Sequence, residues 1–496
     1  MFIKTISIKN FRGIKEIKDF ELNNLSILVG NNGTSKTSIL EAINFVLSPH
    51  FLSGRIKYTD FYNGGDDNIE IKIIFDGIFK SKLPDGYYKQ EIDCNGIFLE
   101  IKKRDRQTPN KAFSEIVTVN HYVLPNREKD NSSGWEIKRK GGTNFKFDER
   151  LLSFPVETVG LPKSFYFGKN REKQLQKGFN SSIGTILEDF NWRFNKEIRK
   201  EINGFKTFSS DTYIYEENLL SKVDEQTHRK TFTTLNSKLE KFNLPEVDLS
   251  IINRLEPFDN ALLTGKLDEI NLPISNLGSG IEMIVAILFL ETISSLSKEN
   301  FILIIDEPEL HLHPKFQNTL IDHLKILSKE NQILLSTHSP YIFKNCSPNE
   351  EIELLLTIKN EENNLILKNT GDDYGLFPWS PSWGEINYYA YNLPTIEFHN
   401  ELYGFIQEKA ILDDEKNYFE NYFDDYLLIK LGKKELDKIK YIRLKKDLTT
   451  EDQQRTIQTY IRNKIHHPEN TNNKDYTEEE LKTSIQEMIE ILNNYN

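Results

Sequence analysis

Two carboxylates stand side by side, Asp306 and Glu307, directly after the unbroken apolar run Phe301–Ile305 in the stretch FILIIDEPELHLHP. Such a run reads as a strand buried on both faces of a parallel sheet. Acids at the carboxyl end of a strand of that kind lie where α/β proteins hold ligands. Asp306 has the oxygen chemistry to bind Mg²⁺, directly or through water. Glu307 beside it could polarise a water towards a terminal phosphate. A second constellation, GNNGTSKTS from Gly30 to Ser38, follows the short apolar strand Leu25–Val29 and precedes helical spacing over 38–47. Strand, glycine-containing loop and helix form the setting of a phosphate-binding loop, in which backbone N–H groups and a helix N-terminus face the anion. Gly30, Asn32, Gly33, Lys36, Thr37 and Ser38 are its predicted ligands of ATP, with Lys36 as a point charge and the Thr37 hydroxyl on Mg²⁺. Ser35 stands where the last glycine of the spacing G-x-x-x-x-G-K-[ST] belongs, and a side chain there either crowds the phosphates or demands an uncomfortable backbone angle.

Two further stretches complete the set. In NLGSGIEMIVAILFLETISSL, from Asn276 to Leu296, a turn of Gly278, Ser279 and Gly280 opens a strongly apolar helix, so free N–H groups are offered to an anion. A second buried strand, Gln332–Leu335, ends in STHSP, which places His338 at a strand end as a γ-phosphate contact if the two strands are neighbours. His311 and His313, at i and i+2 without a third ligand nearby, make a poor zinc site.

The elements that must position these residues are legible around them. Strands are expected over 2–8 and 14–22, then over 69–75, 97–101 and 114–122 as an antiparallel sheet, with a further strand at 164–167. Residues 175–245 read as a helical insertion. Basic clusters (Lys102, Lys103, Arg104 and Arg106; Lys138, Arg139 and Lys140) read as solvated hairpins before they read as a DNA-contacting edge. The chain of 496 residues suffices for two or three domains. No apolar run approaches the roughly 18 residues of a membrane span, and the N-terminus alternates without a signal-peptide pattern. Cys94 and Cys346 are the only cysteines, which excludes a disulfide scaffold and fits a reducing cytoplasm. A net charge of −12 argues against nucleic-acid binding through the overall field.

The order of phosphate loop, Gly-Ser-Gly helix, acidic strand end and histidine strand end resembles ABC-type ATPases of the RecF/SMC/OLD-like group. IKNFRGIKEI, DEPELHLHP and STHSP are most similar to bacterial OLD-like ATPases, over roughly residues 1–375. The resemblance implies an α/β fold with a mixed sheet, and a head-to-tail dimer with ATP between Lys36 of one subunit and the Gly278–Gly280 turn of the other. It also implies that Arg12 can touch nucleotide, although a solvated arginine is an equal reading.

Composition shifts near Gly371. Residues 376–393, rich in aromatics, Gly and Pro, read as a connector, and 394–496 as an all-α domain with helices over 395–409, 415–428, 450–466 and 477–495. The strand-borne acids of a Toprim nuclease are missing there. Within YIRNKIHHPEN, residues 460–470, Arg462 and Asn463 followed by His467 resemble the motif of HEPN ribonucleases. Arginine suits a charged phosphorane and histidine suits removal of a 2′-OH proton, so RNA could be cut without a metal. His466 shares the helical face of Arg462 and is the competing candidate. The basic segment 430–446 would attract RNA phosphates or is a solvated face. The plan is similar to PrrC- and RloC-like anticodon nucleases, which implies antiphage defence, a homodimer or higher even-numbered homo-oligomer, an RNA substrate such as tRNA, and a phage-derived trigger or second defence protein. The alternative is an ATPase subunit whose helical tail binds a partner.

Overall fold

The computed structural model describes residues 1–31, 33–48, 56–82, 91–103, 117–126, 136–137, 145–146, 152–153, 158–168, 229–251, 261–267, 270–297, 300–310, 312–339, 341–342, 352–359, 365–369, 375–380, 382–445 and 449–494. Two compact units divide between Lys368 and Asn369.

The first unit is built on two sheets. One is antiparallel and runs β2–β1–β4–β5–β6, where β1 is Ile3–Phe11, β2 Ile14–Glu21, β4 Ile69–Lys82, β5 Glu91–Lys103 and β6 Val117–Pro125; residues 152–153 and 158–159 add short pairings. The alternation read in the sequence is real here: Ile3, Ile6, Ile8, Ile71, Ile73, Ile97, Leu99 and Ile101 are all buried in one core. The other sheet carries the chemistry. Its order is β7–β8–β9–β3–β10–β11, with β3 at Leu25–Val29, β7 at Lys163–Phe167, β8 at Phe301–Asp306, β9 at Gln332–Thr337, β10 at Ile352–Lys359 and β11 at Leu365–Asn369. Every residue of β3, β8 and β9 is buried, as continuous apolar runs require when both faces are covered. Parallel register sets Val29 beside Thr337 and Ser336 beside Asp306. The three strand ends that precede the phosphate loop, the acidic pair and His338 are therefore adjacent.

Helix α1, Lys36–Leu47, buries Ile39, Leu40, Ile43 and Val46 beneath the sheets. Helix α2, Arg229–Glu240, is the described part of the expected helical insertion; residues 169–228 lie outside the described residues. A small sheet of Val247–Ile251, Ala261–Leu267 and Ile270–Pro273 leads into α3, Ser279–Ser297. Its residues Met283 to Leu290 are all buried, as expected of a helix that is apolar all round. Helix α4, Pro314–Leu327, starts with Pro314 after an N-cap at His313, whose Nδ1 accepts from Lys315 N at 3.3 Å. His313 thus has a capping role. His311 lies outside the described residues, and among those described no three His, Cys, Asp or Glu side chains form a metal-binding group.

The second unit corrects the all-α expectation. Helices α5, Ile396–Asp413, α6, Glu420–Leu431, α7, Ile457–His466, and α8, Glu478–Asn493, enclose a core of Phe398, Leu402, Tyr403, Phe423, Leu427, Ile461, Ile485 and Met488. Between α6 and α7 the chain forms an antiparallel hairpin of β12, Ile439–Leu444, and β13, Thr450–Arg455. Residues 450–455 are therefore strand, and the helix expected from 450 begins at Ile457 after the Thr456 cap. TEDQQR has no apolar period to identify it as strand; pairing and the buried Arg455–Asp424 contact at 3.2 Å settle its state. The expected connector also proves to be core, since Phe377 packs edge-on against Phe398 and Phe405.

His399, on α5, is buried with its Nε2 3.0 Å from Ser484 Oγ. Burial, with the charge of Arg462 adding to it, pushes its pKa down from 6.5 to about 4. The fold withholds a proton that the unfolded chain accepts, so its stabilising effect is complete above about pH 6.5 and fades as pH falls towards 4. Urea unfolding at pH 7 and pH 4.5 is expected to show a loss on the order of 2 kcal/mol from this group, with a shallower pH slope in His399→Gln.

Candidate functional site

The phosphate loop is formed and already tied to its neighbours. Lys36 Nζ donates to Gly30 O at 2.7 Å and Asn31 O at 2.8 Å, so its ammonium lies across the loop's mouth. Thr34 Oγ1 lies 2.7 Å from Thr357 Oγ1 on β10, and Thr357 also donates to Val29 O at 2.9 Å. Gly30, at φ 149°, is required because a Cβ there would overlap Thr357. Gly33 is at φ 77°, another left-handed angle suited to glycine. Asn32 lies outside the described residues.

Ser35 adopts φ 63°, ψ 17°, the left-handed angle that its type disfavours. Its hydroxyl lies against Gly13, where an added Cβ would stand 2.7 Å from Ser35 Oγ. The uncomfortable backbone angle expected at this position is present. Beside Gly13, Arg12 pairs with Glu41 of α1 and, through Nε at 2.7 Å, with Asp60, and its guanidinium lies over Phe11. In this state Arg12 braces the turn against α1. Tyr166 OH approaches Glu41 at 3.5 Å, and burial beside Glu41 and Asp306 pushes its phenol pKa up.

The loop and the acidic strand end meet. Thr37 Oγ1 donates to Asp306 Oδ1 at 3.1 Å, and Ser336 Oγ makes a short bond to the same oxygen. A hydroxyl and a carboxylate converging this way form an all-oxygen donor set that fits Mg²⁺. Ser38 follows on the first turn of α1. Glu307 is held at φ 52° with its N–H on Ser336 O at 3.0 Å. Its Oε1 is 3.4 Å from His338 Nε2, so the two residues predicted from separate strand ends share one site. Glu309, not singled out from the sequence, accepts His338 N–H at 2.6 Å. Gly278 has φ 101° and open space where a Cβ would be, and Glu282 N bonds back to its carbonyl at 3.0 Å as the first turn of α3 closes around Ser279 and Gly280.

In the second unit, Arg462 lies 3.4 Å from Glu420 Oε1 and its guanidinium sits over the Tyr403 ring. Asn463 is buried and donates to Glu420 Oε2 at 3.3 Å. His467 is the C-cap of α7, exposed, with Nδ1 3.2 Å from Glu469 Oε1. Arg462 and Asn463 therefore share a carboxylate, while His467 has a separate one. His466 is exposed, and burial of part of its ring with the charges of Arg462 and His467 lowers its pKa. Four cations of the basic segment are paired: Lys433 with Glu487, Lys438 with Asp425 and Glu435, Lys440 with Asp452 and Lys445 with Glu451. Lys103 is likewise structural, held over Tyr58 and Phe61 with its ammonium on Gly64 O at 3.1 Å. Arg104, Arg106 and Lys138–Lys140 lie outside the described residues.

A family profile described as AAA ATPase domain matches residues 1–343. The chain belongs to the AAA ATPase domain family. The match supports the expected ABC-type ATPase of the RecF/SMC/OLD kind. This AAA ATPase is similar to the Retron Vc95 probable ATPase of Vibrio cholerae serotype O1 biovar El Tor, 25% identical with 77% of this chain and 79% of that protein covered. It is 26% identical to the OLD nuclease of Thermus scotoductus, covering 71% of this chain and 62% of that one. It is 22% identical to the Septu protein PtuA of Bacillus thuringiensis, covering 71% and 76%. Among the described residues no helix is long and apolar enough to cross a membrane.

Two residues beside the phosphate loop were not singled out in sequence. Thr357 lies in an ordinary apolar strand, and Gly13 in a turn whose partner is 22 positions away. Gly13→Ala is expected to push Ser35 and weaken ATP binding about tenfold, roughly 1.4 kcal/mol. Adding Ser35→Gly removes the clash and should restore affinity; titration calorimetry of the two proteins with Mg-ATP checks this.

Proposed function

We propose that the chain hydrolyses ATP in bacterial antiphage defence, working as a homodimer or higher even-numbered homo-oligomer. The observation that carries the ATPase reading is the 3.1 Å contact between Thr37 and Asp306, which joins the loop to the acidic strand end. Lys36 and the loop N–H groups would hold the β- and γ-phosphates. Mg²⁺, when bound between Thr37 and Asp306, supplies charge neutralisation for the phosphate oxygens. Glu307 would orient a water and draw off its proton as the water oxygen bonds to the γ-phosphorus and the bond to the β,γ-bridging oxygen breaks, releasing ADP and phosphate. His338, beside Glu307, would donate to the γ-phosphate. The turn at Gly278, Ser279 and Gly280 of a second copy would close the site with free N–H groups. The names of the relatives, two retron or Septu proteins and an OLD nuclease, support a defence role.

For the second unit we propose metal-independent cutting of RNA, tRNA among the candidates, by a HEPN-like pair of sites released by nucleotide state or a phage-derived trigger. Two features support it. His467 is exposed with one ring nitrogen on Glu469, which leaves the other to take a 2′-OH proton. Arg462 is a third exposed on a long ion pair and could move onto a phosphate. Asn463, buried on Glu420, would position the helix. One copy supplies too few groups, so the reading needs two.

A partner-binding or oligomerisation role for this unit is the second reading. It is favoured by an apolar row on the outer face of α6, with Tyr422 and Ile429 52% and 77% exposed. Total cellular RNA incubated with the protein, with and without ATP, followed by sequencing of new ends, separates the two. Arg462→Ala and His467→Ala are each expected to abolish cleavage while ATP binding stays within about twofold. RNA left intact by the unaltered protein under both conditions would remove cleavage released by nucleotide state alone. For the first unit, Glu307→Gln is expected to lower phosphate release at least 100-fold, on the scale of a lost acid–base group, with ATP binding retained.

A further inference from the structure

Glu307 and His338 sit on turns that leave different strands, and sheet pairing alone does not fix one turn against the other. The last ladder contact is Glu307 N to Ser336 O at 3.0 Å. At 3.4 Å, the Glu307–His338 side-chain contact is too long to orient the imidazole. Where the imidazole projects from is set by the backbone of the His338 turn, whose N–H is held by Glu309.

We infer that Glu309 is a positioning residue for this pair, clasping the turn of His338 to the turn of Glu307 without touching nucleotide. The inference rests on the roles proposed above for Glu307 and His338. Glu309 leaves a turn closed by its own backbone bonds, Leu310 N to Glu307 O at 3.2 Å and Leu312 N to Glu309 O at 3.0 Å. From it, Oε1 accepts the His338 N–H at 2.6 Å, a charge-assisted bond in a buried setting. Gln317, on α4, fastens the far side of both turns: its Nε2 donates to Leu312 O at 3.0 Å and its Oε1 accepts from Ser339 Oγ at 2.7 Å. The two clasps bracket His338. Burial raises the Glu309 pKa, partly opposed by hydrogen bonds from the backbone N–H groups of His338 and Glu309 and from the Thr337 hydroxyl, so direct proton carriage by Glu309 is the competing role. The buried Oε2 accepts no hydrogen bond among the described residues. Glutamine keeps the Oε1 acceptor and removes the charge.

Steady-state phosphate release and calorimetric ATP binding by the full chain test the inference. Glu309→Ala is expected to lower kcat about 10- to 100-fold, the scale of a small misplacement of a reacting group, with KM and ATP affinity within about threefold. Glu309→Gln should remain within about threefold of the unaltered protein. The double variant Glu309→Ala/His338→Ala should hydrolyse no more slowly than His338→Ala alone. A glutamine variant as slow as the alanine one would overturn the clasp in favour of proton carriage, and multiplying effects in the double variant would show that Glu309 does not act through His338. Glu307→Gln separates the two levels of failure. Hydrolysis that survives there removes the proposed chemistry, whereas hydrolysis lost there but normal in Glu309→Ala removes only the clasp.

Discussion

The first unit depends on a lateral register. Three fully buried strands, β8, β9 and β3, lie side by side in parallel, and their carboxyl ends finish at the same level. Because these strands are covered on both faces, a slip of register would take Asp306 off the level of Ser336 and expose a polar ladder within an apolar interior. The contact between the Thr37 hydroxyl and the Asp306 carboxylate follows from that alignment. So does the meeting of Glu307 with His338, residues 31 positions apart in the chain. Hydrophobic burial supplies the driving force, and the polar groups inherit their geometry from it.

Much of this was legible in the sequence for a definite reason. Apolar runs ending in charged residues mark both the strand and the end at which chemistry is placed, so Lys36, Thr37, Asp306, Glu307 and His338 could be named before any fold was known. Glu309 was not singled out because an acid two residues beyond the acidic pair carries no periodic signal; its bond is to a backbone N–H that only the neighbouring strand brings near. Thr357 and Gly13 share that difficulty, since each matters through a partner remote in sequence.

The second unit was less legible. Helical period predicted α5, α6 and α8, whose buried faces follow the expected spacing. The hairpin β12–β13 defeated the same reasoning because its second strand is polar throughout and is held by cross-strand ion pairs and by Arg455, whose anchor Asp424 is on another helix. Counting lysines along residues 430–446 does not show the acids that fold against Lys433, Lys438, Lys440 and Lys445 from α6, α8 and the opposite strand. Net charge along a segment says little when folding brings opposite charge beside it.

Ser35 has one more consequence. A serine has fewer backbone conformations available before folding than a glycine, so ordering it removes less freedom. The left-handed angle it is forced to adopt is unfavourable in itself, yet once the fold has imposed that angle the loop has fewer alternatives to wander into. A cradle already set in shape surrenders little disorder when an anion arrives, and more of the contact energy is left to appear as affinity.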